Sequence, residues 1–112
     1  MSRHTELRLL DMLDAIERIF SYAKGMRYNN FLTDRKTQDA IVRNIEIIGE
    51  AARGIPKTFR VDNPQIPWDE IIGMRNIIVH HYFGILLDVV WDIVKKELPK
   101  LKKQIKSIIK VN

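Results

Sequence analysis

Apolar residues recur every three or four positions along most of the chain, which is the spacing of α-helices that each bury one face. Glycines at Gly25 and Gly54 mark the ends of the first two helices, since glycine suits the residue after a helix end. The third helix is predicted to begin at Pro67 and to continue to about Tyr82, before a break at Gly84. The positions predicted to be buried in the first two helices are Leu9, Met12, Leu13, Ile16, Phe20 and Ala23, then Ala40, Ile41, Ile45, Ile48, Ala51 and Ala52.

Two stretches between these helices are predicted to be irregular. Residues 26–33 form a connection, after which Thr33 or Asp34 caps the second helix with a side-chain oxygen. Residues 54–66 contain two prolines and an asparagine and are predicted to be the longest loop of the chain.

The last helix begins near Leu86 or Asp88 and shows a narrow apolar seam suited to packing on one or two other helices. Pro99 lies inside the seam, and because an internal proline removes one backbone hydrogen bond, we expect a kink there. The sequence contains no strand pattern and no internal repeat. It therefore predicts a single all-α domain over residues 1–112, an antiparallel bundle of four main helices. The seam consists of Val90, Val94, Leu98, Leu101, Ile105 and Ile108.

The composition narrows the class of protein. A chain of 112 residues with 46% hydrophobic and 29% charged residues is typical of one folded domain. Cysteine is absent, which excludes disulfides, thiolate metal sites and a thiol nucleophile. No apolar run approaches the roughly 18 residues of a membrane span, and the N-terminal residues lack the apolar run of a secretory signal. We therefore expect a soluble, cytoplasmic protein without membrane contact.

The net charge of +5 is concentrated at the C-terminal end. Residues 1–94 contain 12 lysines and arginines against 13 aspartates and glutamates, whereas residues 95–112 contain 7 lysines and 1 glutamate. This distribution indicates an anionic partner, nucleic acid or an acidic protein, although a solvated lysine face explains it equally well. The lysines on or beside one stripe of the last helix are Lys95, Lys96, Lys100, Lys102, Lys103, Lys106 and Lys110.

Polar residues interrupt an apolar stretch of the third helix, whose residues 71–85 are IIGMRNIIVHHYFGI. Asn76 and His80 are four positions apart and therefore share one face of the helix. Arg75 and Tyr82 are seven positions apart and share a neighbouring face. A glycine lies one turn before Asn76, and glycine inside a helix costs about 1 kcal/mol relative to alanine. Its presence indicates that space is kept there for another backbone or a ligand.

These side chains suit phosphodiester cleavage by attack of a ribose 2′-hydroxyl. His80 can accept and donate a proton near neutral pH, and Arg75 is a permanent cation that matches a phosphate group. Asn76 can orient the imidazole or hold a phosphate oxygen, and Tyr82 adds a hydroxyl. Such a reaction needs a base, an acid and a cation, but no metal. One histidine cannot easily be both acid and base in one step, whereas two copies across a two-fold axis can.

Structural roles explain the same residues. A lone histidine on an apolar face is more often a hydrogen-bonded core residue, and Arg75 could pair with Glu46 or Glu50. His80 and His81 are adjacent, and because adjacent helical side chains diverge by about 100°, they chelate a metal poorly. The sequence therefore predicts neither a metal site nor a cofactor.

The sequence also resembles a known family. Residues 75–82, RNIIVHHY, are similar to the HEPN-superfamily pattern of arginine, four residues and histidine, in the HepT-like form with a tyrosine two positions after the histidine. The resemblance extends over nearly the whole chain, through IVRNIEIIGEAAR (41–53), IPWDEIIGMRN (66–76) and HYFGILLDVVWDIVKKELPKL (81–101).

The resemblance implies an all-α toxin of a toxin–antitoxin pair, a metal-independent ribonuclease whose homodimer brings two motifs together in one cleft. Arg75 and His80 would be the catalytic pair and Asn76 a helper within the motif. The implied antitoxin is an MntA-like minimal nucleotidyltransferase that inactivates the toxin by transferring AMP to Tyr82. His81 occupies a variable position and receives no role.

Three classes of function follow. In a ribonuclease toxin, the stripe of Lys96, Lys100 and Lys103 would guide the RNA backbone; no aromatic residues interleave with it, so base-specific recognition is not expected. A non-catalytic module would instead dock a nucleotidyltransferase or RNA. A structural dimerisation domain would need Arg75 and His80 only for stability. The dimer could also pair further.

Overall fold

The computed structural model describes the backbone of residues 1–81 and 86–110, and the side chains of these residues except those at 75, 77–81 and 110. Its described parts are almost entirely helical and contain no strand, which confirms the predicted all-α class. Within the same residues, no helix is both long enough and apolar enough to cross a bilayer. The elements are α1 (Arg3–Ala23), α2 (Tyr28–Leu32), α3 (Arg35–Arg53), α4 (Lys57–Asp62), α5 (Trp68–His81), α6 (Leu87–Asp92), a π-helical turn (Ile93–Glu97) and α7 (Leu98–Lys110).

Successive main helices run in opposite directions. The start of α1 meets the end of α3, where His4 Nε2 lies 3.2 Å from the carbonyl oxygen of Gly54. Further along, α7 packs on α1, and Lys102 Nζ lies 2.6 Å from Glu17 Oε1. Together with the packing of α5 described below, these contacts give the up-and-down bundle that the sequence predicts.

α5 runs antiparallel to the helix formed by α6, the π-helical turn and α7. Near the start of α5, Gln104 Nε2 donates a hydrogen bond to the carbonyl oxygen of Gln65 at 2.7 Å. Further along, Met74 and Ile93 line the same groove between the two helices. Residue numbers therefore rise on α5 as they fall on the opposite helix.

The predicted apolar positions form the core. Most are fully buried, and the remainder are half-buried and pack around the core. The seam of the last helix is buried from Val90 to Ile105, and Ile108 is half-buried at its end. Periodicity alone was therefore sufficient to find the core faces of α1, α3 and α7. The half-buried members of the predicted set are Leu13, Phe20, Ala40 and Ile108.

Both connections contain a short helix that the sequence did not predict, so the prediction of a loop over residues 54–66 was wrong. Within residues 26–33, the side chain of Asn30 accepts a hydrogen bond from the backbone N–H of Arg27 at 2.8 Å and closes the first turn of α2. Within residues 54–66, α4 begins after Pro56. Helices this short contain no repeat of apolar spacing, and tertiary packing and capping stabilise them instead.

Asp34 caps α3, as one of the two predicted candidates. Its Oδ1 accepts from the backbone N–H of Thr37 at 3.0 Å, and its Oδ2 accepts from the Thr37 hydroxyl at 2.7 Å. These hydrogen bonds, the hydroxyl bond first, lower the pKa of the Asp34 carboxyl. The cap is therefore strongest with the carboxylate ionised, and its contribution falls as the pH drops through that lowered pKa.

At the position where the sequence predicts a kink, the structure has a π-helical turn. Pro99 has no N–H, and its ring would clash with the carbonyl of Lys95, four residues earlier. Lys95 lies inside the turn Ile93–Glu97, where the hydrogen bonds span one extra residue and make room. The extra residue buries Ile93 beside Val94 on the core side of the helix.

Candidate functional site

The start of α5 is fixed by its own backbone and by two acidic residues. α5 begins at Trp68, one residue later than predicted, and the carbonyl oxygen of Pro67 accepts from the N–H of Ile71 at 3.1 Å. Asp69 and Glu70 lie in the first turn, where negative charge interacts favourably with the helix dipole.

A close approach between α3 and α5 sets the position of the motif helix. A Cβ atom on Gly49 would lie 3.2 Å from the carbonyl oxygen of Ile71 and 3.7 Å from that of Ile72. The first distance is tighter than ordinary packing allows, so glycine permits the two backbones to meet at this point. Gly49 therefore lies opposite Ile71 and defines the register between the helices.

The predicted catalytic residues occupy one helix. Arg75, Asn76 and His80 all lie within α5, so Asn76 and His80 share a face as their spacing predicts. Asn76 is exposed. The side chains of Arg75 and His80, and the whole of Tyr82, lie outside the described residues, so their roles stay predictions.

The surface beside Asn76 is open in the single chain. A Cβ atom on Gly73 would have no described atom within 4 Å outside its own helix backbone. Gly73 precedes the exposed Asn76 by one turn, so both lie on the same side of α5. The space expected around this glycine is therefore present, and neither α3 nor α7 fills it.

The described residues bear on two structural alternatives, an ion pair of Arg75 with a carboxylate and a metal site. Glu46, one of the two carboxylates considered as a partner for Arg75, has its Oε1 atom 3.4 Å from Arg43 Nη1, and Glu50 is exposed. Among the described side chains, no three histidine, aspartate or glutamate residues gather as metal ligands. His80 and His81 lie outside that comparison.

Asn44 is a buried polar residue that the sequence analysis did not consider. Its side chain is 6% exposed, and its Nδ2 donates to the carbonyl oxygen of Ala40 at 2.9 Å. Its Oδ1 has no hydrogen-bond partner in the described part of the chain. Gly49 faces α5, and Asn44 lies five residues before it, about 140° around α3, on the side away from α5. The signal was an asparagine three positions after the buried Ile41.

The lysine stripe is largely as predicted. Lys96, Lys100 and Lys103 are exposed on the side of the helix opposite its buried seam. Lys96 Nζ lies 3.3 Å from Asp92 Oδ1, with both side chains well exposed, so solvent weakens this pair. Lys102 is different because it is half-buried against α1 and paired with Glu17.

A groove of about 320 Å³ separates α5 from the π-helical turn and α7. Its floor is apolar, with Ile71, Met74 and Leu101, and Glu70 and Lys100 stand at its edge. Met74 is the last described residue of α5 in its lining, directly before Arg75 in the sequence.

Comparison with known proteins gives consistent matches. The family model described as "Ribonuclease HepT-like" matches residues 12–108. "Putative RNase MJ1380" of Methanocaldococcus jannaschii is 39% identical over 106 residues, which cover 95% of this chain and 97% of that protein. "Probable ribonuclease HepT" of Thermococcus cleftensis is 40% identical over 110 residues, 98% of this chain and 100% of that protein. "Putative RNase TTE0752" of Caldanaerobacter subterraneus is 40% identical over 98 residues, 88% of each. No solved structure gives a significant match.

Proposed function

Because the chain belongs to the HepT-like family of ribonucleases, we propose that it cleaves RNA phosphodiesters without a metal, by attack of the ribose 2′-hydroxyl. His80 transfers the proton, and Arg75 stabilises the charge that develops on the phosphate. Asn76 orients the imidazole or holds a phosphate oxygen. The observation that carries this proposal is the placement of all three on α5, with Asn76 and His80 on the same side of the helix as Gly73.

The open surface beside Gly73 supports a homodimer as the active form. A single His80 cannot readily serve as both acid and base in one step, so a second copy is needed within the same cleft. A two-fold axis beside Gly73 and Asn76 would bring two α5 helices together and place both motifs at one interface. Glycine at position 73 permits the approach of a second backbone there.

The lysine stripe and Tyr82 complete the proposal. Lys96, Lys100 and Lys103 hold RNA phosphates, so that binding weakens as salt rises. Tyr82 is the site where an MntA-like nucleotidyltransferase antitoxin attaches AMP, which makes the chain the toxin of a toxin–antitoxin pair.

The proposed reaction is tested with purified protein and a short single-stranded RNA, in EDTA. We expect cleavage to continue, and the products to have 2′,3′-cyclic phosphate and 5′-hydroxyl ends, because the 2′-hydroxyl is the nucleophile. An RNA with 2′-deoxyribose at the cleaved position is the matched control and should resist cleavage. Activity that disappears in EDTA and returns with a divalent ion would contradict the mechanism, as would cleavage of the 2′-deoxy control.

A further inference from the structure

Three aromatic rings meet where α2 packs on α6. The ring of Phe31 stacks on that of Trp91 with centroids 5.0 Å apart and planes at 29°, and the ring of Tyr28 lies 6.3 Å from Trp91 at 45°. Phe31 is fully buried, Trp91 is half-buried, and Tyr28 is 37% exposed. The cluster therefore extends from the core to the solvent, and its outer part, which we call the Tyr28–Trp91 platform, presents aromatic surface to water.

Cationic side chains lie beside the platform. Lys95 Nζ lies 5.0 Å from the centroid of the Trp91 ring. Lys95 also lines a cleft of about 350 Å³ together with Lys24, at the end of α1. Arg27, directly before Tyr28, is exposed. Two exposed carboxylates are close to Trp91 in the sequence: Asp88 lies one turn before it, and Asp92, directly after it, is 3.3 Å from Lys96.

The platform and the motif lie at a similar level along the bundle but on different sides of their helices. Met74 of α5 and Ile93 of the π-helical turn line the same groove, and the two helices are antiparallel. Asn76 follows Met74 by two residues and Trp91 precedes Ile93 by two, and because two helical residues turn a side chain by about 200°, both point away from this groove.

We propose that the Tyr28–Trp91 platform binds an unpaired base of the RNA substrate by stacking, while Lys95 and Lys24 contact the flanking phosphates. This proposal rests on the proposed ribonuclease activity and assigns its substrate class as single-stranded RNA. An aromatic surface beside cations is the combination that single-stranded nucleic acid requires, because every base has a flat face and every nucleotide a phosphate. A protein partner that docks by apolar contact would not need the three cations.

Lys95 can move to make room for the base. Its ammonium group lies over the Trp91 ring only in an exposed cation–π contact, which is weak, and its side chain is long and flexible. A base that stacks on the platform would displace the ammonium group toward the neighbouring phosphate. One lysine would thus exchange an aromatic partner for a phosphate when RNA binds.

The test uses the whole protein and a fluorescein-labelled single-stranded 2′-O-methyl oligouridine of about eight nucleotides, which lacks the nucleophilic hydroxyl and is not cleaved. Fluorescence anisotropy measures the affinity. Tyr28→Ala should weaken binding by about 5- to 150-fold, the range measured for loss of one stacked base. Tyr28→Phe keeps the ring and should bind nearly as well as the wild type.

Tyr22→Ala is the matched control. Tyr22 is 39% exposed, close to the exposure of Tyr28, but it lies on α1, away from Trp91 in the sequence and outside the aromatic cluster. Its loss should leave the affinity unchanged. Equal weakening by Tyr22→Ala and Tyr28→Ala would overturn the proposal, as would full affinity of a folded Tyr28→Ala protein.

An abasic oligonucleotide of the same length separates stacking from charge. It keeps the phosphates, so the wild type should bind it more weakly than oligouridine, and Tyr28→Ala should weaken its binding no further. If Tyr28→Ala weakens the abasic strand as much as oligouridine, the tyrosine acts other than by stacking and the proposal fails. Failure of the ribonuclease assignment would give a different result. The wild-type protein would then still bind oligouridine through Tyr28 but would not cleave RNA.

Discussion

His80→Ala is expected to lower RNA cleavage by about 10²- to 10⁴-fold, because general acid–base catalysis by one side chain contributes about that much. Arg75→Ala should do nearly the same, since no other motif residue carries a permanent positive charge. If the chain is the proposed toxin, either change should also relieve growth arrest in cells. Cleavage is measured on purified protein, and circular dichroism confirms that each variant is folded.

His81→Ala is the matched control for this prediction. His81 is the same residue type, next to His80 on α5, but its side chain leaves the helix about 100° away. Its replacement should change cleavage only slightly. A folded His80→Ala protein with full activity would refute the ribonuclease mechanism. An equal loss of activity in His80→Ala and His81→Ala would mean that His80 has no special role.

A mixed dimer tests whether one copy of His80 acts as the acid and the other as the base. One wild-type chain paired with one His80→Ala chain should be strongly impaired, well below half of the wild-type activity, if one histidine is the acid and the other the base. Half activity would instead mean that each chain acts alone. Light scattering at micromolar concentration gives the accompanying measure of assembly.

Attachment of AMP to Tyr82 is expected to abolish cleavage. The modification would add a bulky anion seven residues after Arg75 in the sequence, and we expect it to block the RNA phosphate and neutralise the arginine. Co-expression with an MntA-like nucleotidyltransferase, the proposed antitoxin, should increase the intact mass by about 329 Da for each AMP. The modified protein should lose activity and regain it when the AMP is removed.

Tyr82→Phe is the control for the modification. It should show no increase in mass and should stay active in the presence of the nucleotidyltransferase. If the partner still inactivates Tyr82→Phe, inhibition is by direct coverage of the cleft. If the mass increase persists in Tyr82→Phe, another residue accepts the AMP.

The sequence was sufficient for the long helices and insufficient for features that depend on tertiary contacts. The apolar repeat predicted α1, α3 and the seam of α7, because burial follows the helical period. It missed α2 and α4, which are too short to contain a repeat and depend on local caps such as Asn30. It predicted a kink near Pro99, but the π-helical turn that the structure has there depends on how the helix packs.

The candidate site likewise has features that the sequence predicts and features that depend on tertiary packing. The motif spacing placed Arg75, Asn76 and His80 on one helix, which requires only that the segment be helical. The contact of Gly49 with the Ile71 carbonyl could not be predicted, because it depends on how α3 packs on α5. Tyr28 and Trp91 are 63 residues apart in the sequence, and only the packing of α2 on α6 brings them together beside Lys95.

The π-helical turn has a consequence for the rotational phase of the last helix. An α-helix advances about 100° per residue, so the 15 steps from Val90 to Ile105 would leave the two side chains about 60° out of line. A wider turn at Ile93–Glu97 advances less per residue and brings both ends back to the core side. The buried side of α6 can thus face α2 and α5, while the buried side of α7 faces α1. The orientation of Trp91 is thereby set separately from that of the lysines that follow the turn.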